Sequence, residues 1–153
     1  MITVACSIHL PLPPQAVFAF AGDYRNDTQW RRGVMLMRCE PDAPRLGGRT
    51  HETLQFMGLR AETLAEIIAW EPGRRTAFRA LSGPVPCEGR RLFEADGEGT
   101  RLSYVLHLSP QGRWRLLNPL LALLFRWQAA GDLRRLRRLM ADSAALQPAL
   151  PRS

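Results

Sequence analysis

The chain has 153 residues, enough for one domain with a substantial core, and its 46% hydrophobic content excludes a disordered protein. Its formal charge is +7, carried by 21 arginines without a single lysine, so membranes, nucleic acid or acidic partners are the surfaces it would attract. Three cysteines, Cys6, Cys39 and Cys87, leave one over after any pairing and show no metal-ligand spacing, which predicts a reduced, cytoplasmic protein.

Ile2, Val4, Cys6, Ile8 and Leu10 alternate with more polar or smaller residues, the pattern of a strand with one buried face. No apolar h-region of a signal peptide fits this alternation. Pro11, Pro13 and Pro14 end the strand. A short helix is predicted from about Pro14, with Val17, Phe18 and Phe20 apolar and Gly22 near its end. A second short helix or turn carries Asp23, Tyr24, Asn26, Asp27 and Trp30, and Gly33 releases the chain into a strand.

From Val34 to Ser109 strands and turns repeat. Strands are predicted at Val34–Arg38, Arg49–Phe56, Arg60–Trp70, Arg74–Leu81, Cys87–Glu94 and Arg101–Leu108. The connections are rich in Gly, Pro and Asp and too short for crossover helices, which implies an antiparallel meander.

Leu117, Leu120, Leu121, Leu124, Trp127, Leu133, Leu136 and Met140 recur at three and four, predicting one helix with one buried stripe. Asn118 and Pro119 make an N-cap and first-turn pair, and the helix is expected to reach about Ala145. Gly131 in its middle has two readings, close packing on the sheet or room for a ligand. The apolar run Leu116–Trp127 is interrupted by Asn118, Pro119 and Arg126 and falls short of the ~20 residues that span a bilayer. The cluster Arg134, Arg135, Arg137 and Arg138 lacks interleaved aromatics and reads as a solvated helix face. Residues 1–146 are predicted as one domain, with 147–153 a flexible tail. A sheet with only short helices ahead of it needs the long helix to cover one face, giving an α+β helix-grip fold of about seven strands.

The run Pro14, Val17, Phe18, Phe20, Asp23, Asn26, Trp30, Gly33, Val34 resembles the N-terminal signature of the polyketide cyclase/dehydratase-like family. That family belongs to the START-like (SRPBCC) superfamily, which includes the birch-pollen allergens. Further matches are Gly47-Gly48, Trp70-Glu71-Pro72, Phe78-Arg79, Phe93-Glu94 and Gly99 to Leu102, so the similarity spans roughly residues 2 to 143. The resemblance implies a helix-grip fold with a deep apolar pocket. It implies binding or transport of a small hydrophobic ligand such as a lipid, isoprenoid or polyketide-like molecule. Alternatives are a cyclase or dehydratase using the same cavity, and a co-chaperone-like interaction module.

No nucleophile elbow, phosphate loop, metal constellation or cofactor motif is visible. A cyclase pocket works largely by shape, and Arg91, Tyr104 and His51 are its candidate polar residues. His9 and His107 are expected outward. His51 depends on register: either Thr50, Glu52, Leu54 and Phe56 face inward, or His51, Thr53, Gln55 and Met57 do. Arg91 shares its side of the strand with Cys87, Gly89 and Phe93, the family's inward positions. An inward arginine needs a partner, either an internal acid such as Glu52 or an anionic ligand group; otherwise the strand is flipped and Arg91 is solvated. The candidate ligand-binding residues are Trp30, Phe56, Phe78, Arg91, Phe93, Tyr104, Leu124 and Trp127. Trp114, Leu116 and Leu117, with Arg113 and Arg115, are expected to form an exposed apolar patch by the pocket mouth that touches anionic membrane.

Overall fold

The computed structural model describes residues 1–146; the predicted tail, 147–153, lies outside the described residues. Strand β1 (Ile2–Leu10) is followed by helix α1 (Pro14–Val17), which continues into a wider π-type turn over Phe18–Gly22. A 3-10 turn (Tyr24–Asn26) leads into helix α2 (Asp27–Trp30). Pro14 opens α1 because the first helical position loses no bonded N–H. The Asp23 carboxylate caps the next turn by accepting from the Arg25 amide at 3.0 Å.

Six strands follow: β2 (Val34–Glu40), β3 (Arg49–Phe56), β4 (Leu59–Glu71), β5 (Arg75–Ser82), β6 (Cys87–Asp96) and β7 (Gly99–Leu108). A 3-10 turn (Gly112–Leu117) then leads into helix α3 (Asn118–Leu146). The seven strands form one antiparallel sheet in the order β1-β7-β6-β5-β4-β3-β2. Register shifts interrupt the β2–β3 and β4–β5 ladders, and such bulges bend a sheet. The curved sheet grips α3, as the element order predicts.

The core is built in two stretches along α3. Its C-terminal half buries Leu133, Leu136 and Met140 against Leu10, Phe18, Trp30, Phe93, Leu102 and Tyr104. Its N-terminal half packs Leu121, Ala122, Phe125 and Ala129 on Ile2, Val4 and Leu108 of the β1 edge.

The single predicted stripe on α3 is corrected by this packing. Leu120 and Trp127 are 53% and 76% exposed, and Leu117 is exposed as well. At about 100° per residue, Leu120, Leu123 and Trp127 point roughly opposite to the packed set Leu121, Phe125, Ala129, Leu133 and Leu136. Gly131 lies on the outward side too. An added Cβ would meet only the Arg134 Nη2, at 3.8 Å, so neither close packing nor ligand space explains the glycine.

Candidate functional site

The inner face of the sheet follows from its register. Thr76, Arg91, Tyr104 and Cys6 lie side by side across β5, β6, β7 and β1. Arg91 therefore points into the domain, and it is 1% exposed. Its partner is Asp27 of α2, which is 0% exposed. The guanidinium grips that carboxylate with both arms: Nη1 donates to Oδ1 at 2.9 Å and Nη2 to Oδ2 at 2.6 Å. Nη1 also donates to the Ala21 carbonyl at 2.9 Å. Glu52, one candidate internal acid for Arg91, is instead taken by Arg31, whose Nη1 donates to Glu52 Oε2 at 2.7 Å and to Asp27 Oδ2 at 3.0 Å. Two arginines and two carboxylates thus form a neutral chain from β6 through α2 to β3.

Three aromatic rings enclose the Arg91 guanidinium. Its Cζ lies 4.7, 5.1 and 5.7 Å from the ring centroids of Tyr24, Trp30 and Tyr104, within cation–π range. Burial opposes the charge on Arg91, but the Asp27 carboxylate and its hydrogen bonds outweigh that cost and raise the pKa. Burial pushes the Tyr24 phenol up to about 12, and its hydroxyl shares a 2.8 Å hydrogen bond with Thr76 Oγ1. Burial raises Tyr104 too, partly offset by Arg31 and Arg91, so both phenols stay neutral. Phe18 closes this end of the grip with edge contacts to Phe93 and Trp70, each at 5.1 Å.

The other end is open. Leu54, Phe56, Ala61, Thr63, Phe78 and Ala80 share the inner face of β3, β4 and β5, and all remain partly solvent-accessible. Leu121, Leu124 and Phe125 of α3 are half-buried as well. Sheet and helix meet where Phe56 stacks on Phe125 at 4.9 Å, with the rings 9° from parallel. Ala61, Thr63 and Ala80 are small and partly accessible, and the strip of inner face they form opposite α3 is the groove. Phe78 lies across Gly89, where an added Cβ would overlap its ring. At the inner end sits Gln128, whose Nε2 and the Leu54 Cδ1 both crowd the position a Cβ on Gly33 would take. The Gln128 Oε1 is buried without a hydrogen-bond partner among the described residues. Two surface clefts of about 490 and 400 Å³ lie elsewhere, one beside Ser109 to Gly112 and the other between Arg74 and Glu94.

Of the predicted ligand residues, Phe56 and Phe78 lie on the accessible stretch of the inner face and Leu124 is half-buried on α3, while Trp30, Arg91, Phe93 and Tyr104 fill the closed end. Trp127 is overturned as an inward residue and faces solvent. Arg91 and Tyr104 are neighbours, but His51 is not with them. Glu52 and Phe56 take the inner face, so His51 points outward and its Nε2 lies 3.3 Å from Glu40 Oε2. His9 is exposed, and His107 shares a 3.0 Å hydrogen bond with Thr3. Sequence reading missed Asp27, Arg31 and Gln128. Asp27 and Arg31 had a signal in their four-residue spacing around Trp30, and Gln128 stands out as a polar residue in an apolar helix stretch. Among the described residues no group of His, Cys, Asp and Glu is placed to hold a metal ion.

A family model described as polyketide cyclase / dehydrase and lipid transport matches residues 1–141. No curated protein matches the chain. Among solved structures, TTHA0849 from Thermus thermophilus is 23% identical with a TM-score of 0.80, covering 95% of this chain and 99% of that one. The Zhui aromatase/cyclase from Streptomyces sp. R1128 is 13% identical with a TM-score of 0.77, covering 93% of this chain and 94% of that one. A START superfamily protein from Mycobacterium smegmatis is 12% identical with a TM-score of 0.69, covering 96% of this chain and 100% of that one. At these identities the likeness shows the shared fold.

Proposed function

This chain belongs to the polyketide cyclase / dehydrase and lipid transport family, and from that premise we propose that it binds a small hydrophobic molecule in the groove between α3 and the β3–β5 face. The carrying observation is the band of inner-face side chains that point at the helix yet stay partly accessible, beside the small Ala61, Thr63 and Ala80. Natural ligand sites combine such apolar walls with a few placed polar groups. Gln128, with its unpartnered Oε1, supplies one, so the ligand carries a hydroxyl or amide-like donor at one end. The buried ion pairs do not ask for a ligand charge, because each guanidinium already has its carboxylate.

Native mass spectrometry of the purified protein, then denaturing extraction, tests for a bound apolar species. Titration with N-phenyl-1-naphthylamine gives an affinity. Ala61→Phe and Ala80→Phe, which fill the groove, are expected to weaken binding at least about tenfold, the scale of a lost ~1.4 kcal/mol. An empty protein whose probe affinity is unchanged in both variants overturns the reading.

A cyclase reading has one observation in its favour: Tyr104, a neutral phenol, lies beside Arg91 on the inner face. Turnover of a polyketide-like chain that is lost in Tyr104→Phe, with ligand affinity retained, would establish it over simple carriage.

A further inference from the structure

We infer that the outward face of α3 is a docking surface for an anionic membrane. The face is continuous along the helix. At about 100° per residue, Leu123, Trp127, Arg134, Arg135 and Arg138 all fall within roughly 60° of the direction of Leu120. The first half of this face is apolar and bare, with Leu123 63% and Trp127 76% exposed. The second half is arginine, all of it exposed. A helix with an inserting apolar segment followed by a basic one is built to lie in the headgroup region of an anionic bilayer.

The neighbouring chain extends the surface. Trp114 and Leu116, in the turn before α3, are exposed, Leu116 to 85%. They are flanked by the exposed Arg113 and Arg115. At the β3–β4 hairpin, exposed Met57 and Leu59 adjoin Phe56, which stacks on Phe125 of α3. The apolar surface therefore borders the mouth of the groove, where a membrane-derived molecule would pass. Tryptophan and arginine together are the side chains that settle at a membrane interface.

Charge selects the occupant. No aspartate or glutamate occurs from residue 99 to residue 131. On α3, Asp132 is buried, which leaves exposed Asp142 beyond Arg138 as the acid on this side. A second copy meeting it through the same face would bring arginines and little acid to the contact, whereas anionic headgroups satisfy the arginines along its length.

Flotation with vesicles of phosphatidylcholine alone, and of phosphatidylcholine mixed with phosphatidylglycerol, tests this without any added groove ligand. Its outcome is therefore separate from that of the ligand-binding experiment. The wild type is expected to float with the mixed vesicles, less so as salt rises, and weakly with the zwitterionic ones. Arg134→Gln with Arg138→Gln is expected to lose about thirty-fold, from roughly a factor of five per arginine at the surface. Leu123→Ser with Trp127→Ser is expected to abolish flotation with the mixed vesicles, and brominated lipid is expected to quench tryptophan fluorescence of the wild type. All four side chains are exposed, so unchanged melting curves are the control for folding. No flotation with anionic vesicles at low salt overturns the inference. So does undiminished binding by the Leu123/Trp127 variant, which marks plain electrostatic adhesion. A dimer in sedimentation equilibrium that Trp127→Ser converts to monomer gives the face to a second copy instead.

Discussion

Asp27→Ala would leave the Arg91 guanidinium buried with no counter-charge. In the wild type both arms of Arg91 are engaged, at 2.9 and 2.6 Å, by a carboxylate with no exposed surface. Removing one partner of such a pair costs about 3–5 kcal/mol, because the surviving charge can neither hydrate nor deprotonate. The Ala21 carbonyl and the three aromatic faces remain to Arg91, and Arg31 keeps Glu52, so the lower half of that range is expected. Against a typical stability of about 5–15 kcal/mol the loss is large, and at roughly 2–4 °C per kcal/mol it lowers Tm by about 6–16 °C. Urea unfolding followed by circular dichroism, with the m-value compared first, measures it. Arg91→Met should cost less, since Asp27 still accepts from Arg31 at 3.0 Å. Asp27→Leu with Arg91→Met should recover most of the loss, as replacing a whole buried pair by apolar residues is often neutral. An Asp27→Ala protein within about 1 kcal/mol of wild type, or a double variant that merely sums the singles, would refute the reasoning.

Three further outcomes are expected. Gly131→Ala should stabilise by about 1 kcal/mol, since the new methyl meets nothing closer than 3.8 Å; calorimetry showing a lower Tm would contradict the outward placement of that residue. Burial raises the Asp132 carboxyl above its ordinary 3.8, opposed by the Arg32 amide and Arg31. The folded state therefore holds that proton more tightly than the unfolded chain, and this carboxyl makes stability fall as pH rises from the ordinary value through the folded one. Asp132→Asn should remove the penalty, so its gain over wild type is absent in acid, grows across that window and is constant at neutral pH, as urea midpoints along a pH series will record. Gly89→Ala drives a Cβ into the Phe78 ring and should cost about 1–3 kcal/mol while altering probe affinity in the groove; unchanged values of both would show that Phe78 has room to move.

Much of the fold was legible because strand alternation and Gly/Pro turns are local signals. The phase of Arg91 with Phe93 pointed inward but left a flipped strand open, and the register across the sheet decides for the inward turn. The partner of Arg91 was not legible. Both Asp27 and Glu52 arrive at the inner face from distant parts of the chain, and the choice between them depends on how α2 sits under the sheet. The register of β3 was equally open from its residues, since Thr50 to Met57 offers polar and apolar groups on both faces. Tertiary contacts decide it: Glu52 reaches Arg31 and Phe56 reaches Phe125, and His51 is thereby sent outward.

Helix α3 marks the physical limit of periodicity. Leu120, Leu124 and Trp127 follow a one-face helical spacing as well as Leu121, Phe125 and Ala129 do, and the pattern does not say which stripe meets the sheet. The β1 edge decides in favour of the second, because Ile2, Val4 and Leu108 receive it. Leu120 and Trp127 of the first stripe are then left bare on a helix that already has its core contact, with Leu124 half-buried between them. A protein stable without burying Leu123 and Trp127 gains nothing in folding from keeping them apolar, and exposed apolar surface carries an aggregation cost. Their presence beside a line of arginines is accounted for by a contact made outside the fold, and it is the same helix whose other side faces the groove. Docking and ligand exchange would then share one element, so Leu123→Ser with Trp127→Ser should slow transfer of a bound apolar probe to anionic vesicles while leaving its equilibrium affinity in solution unchanged.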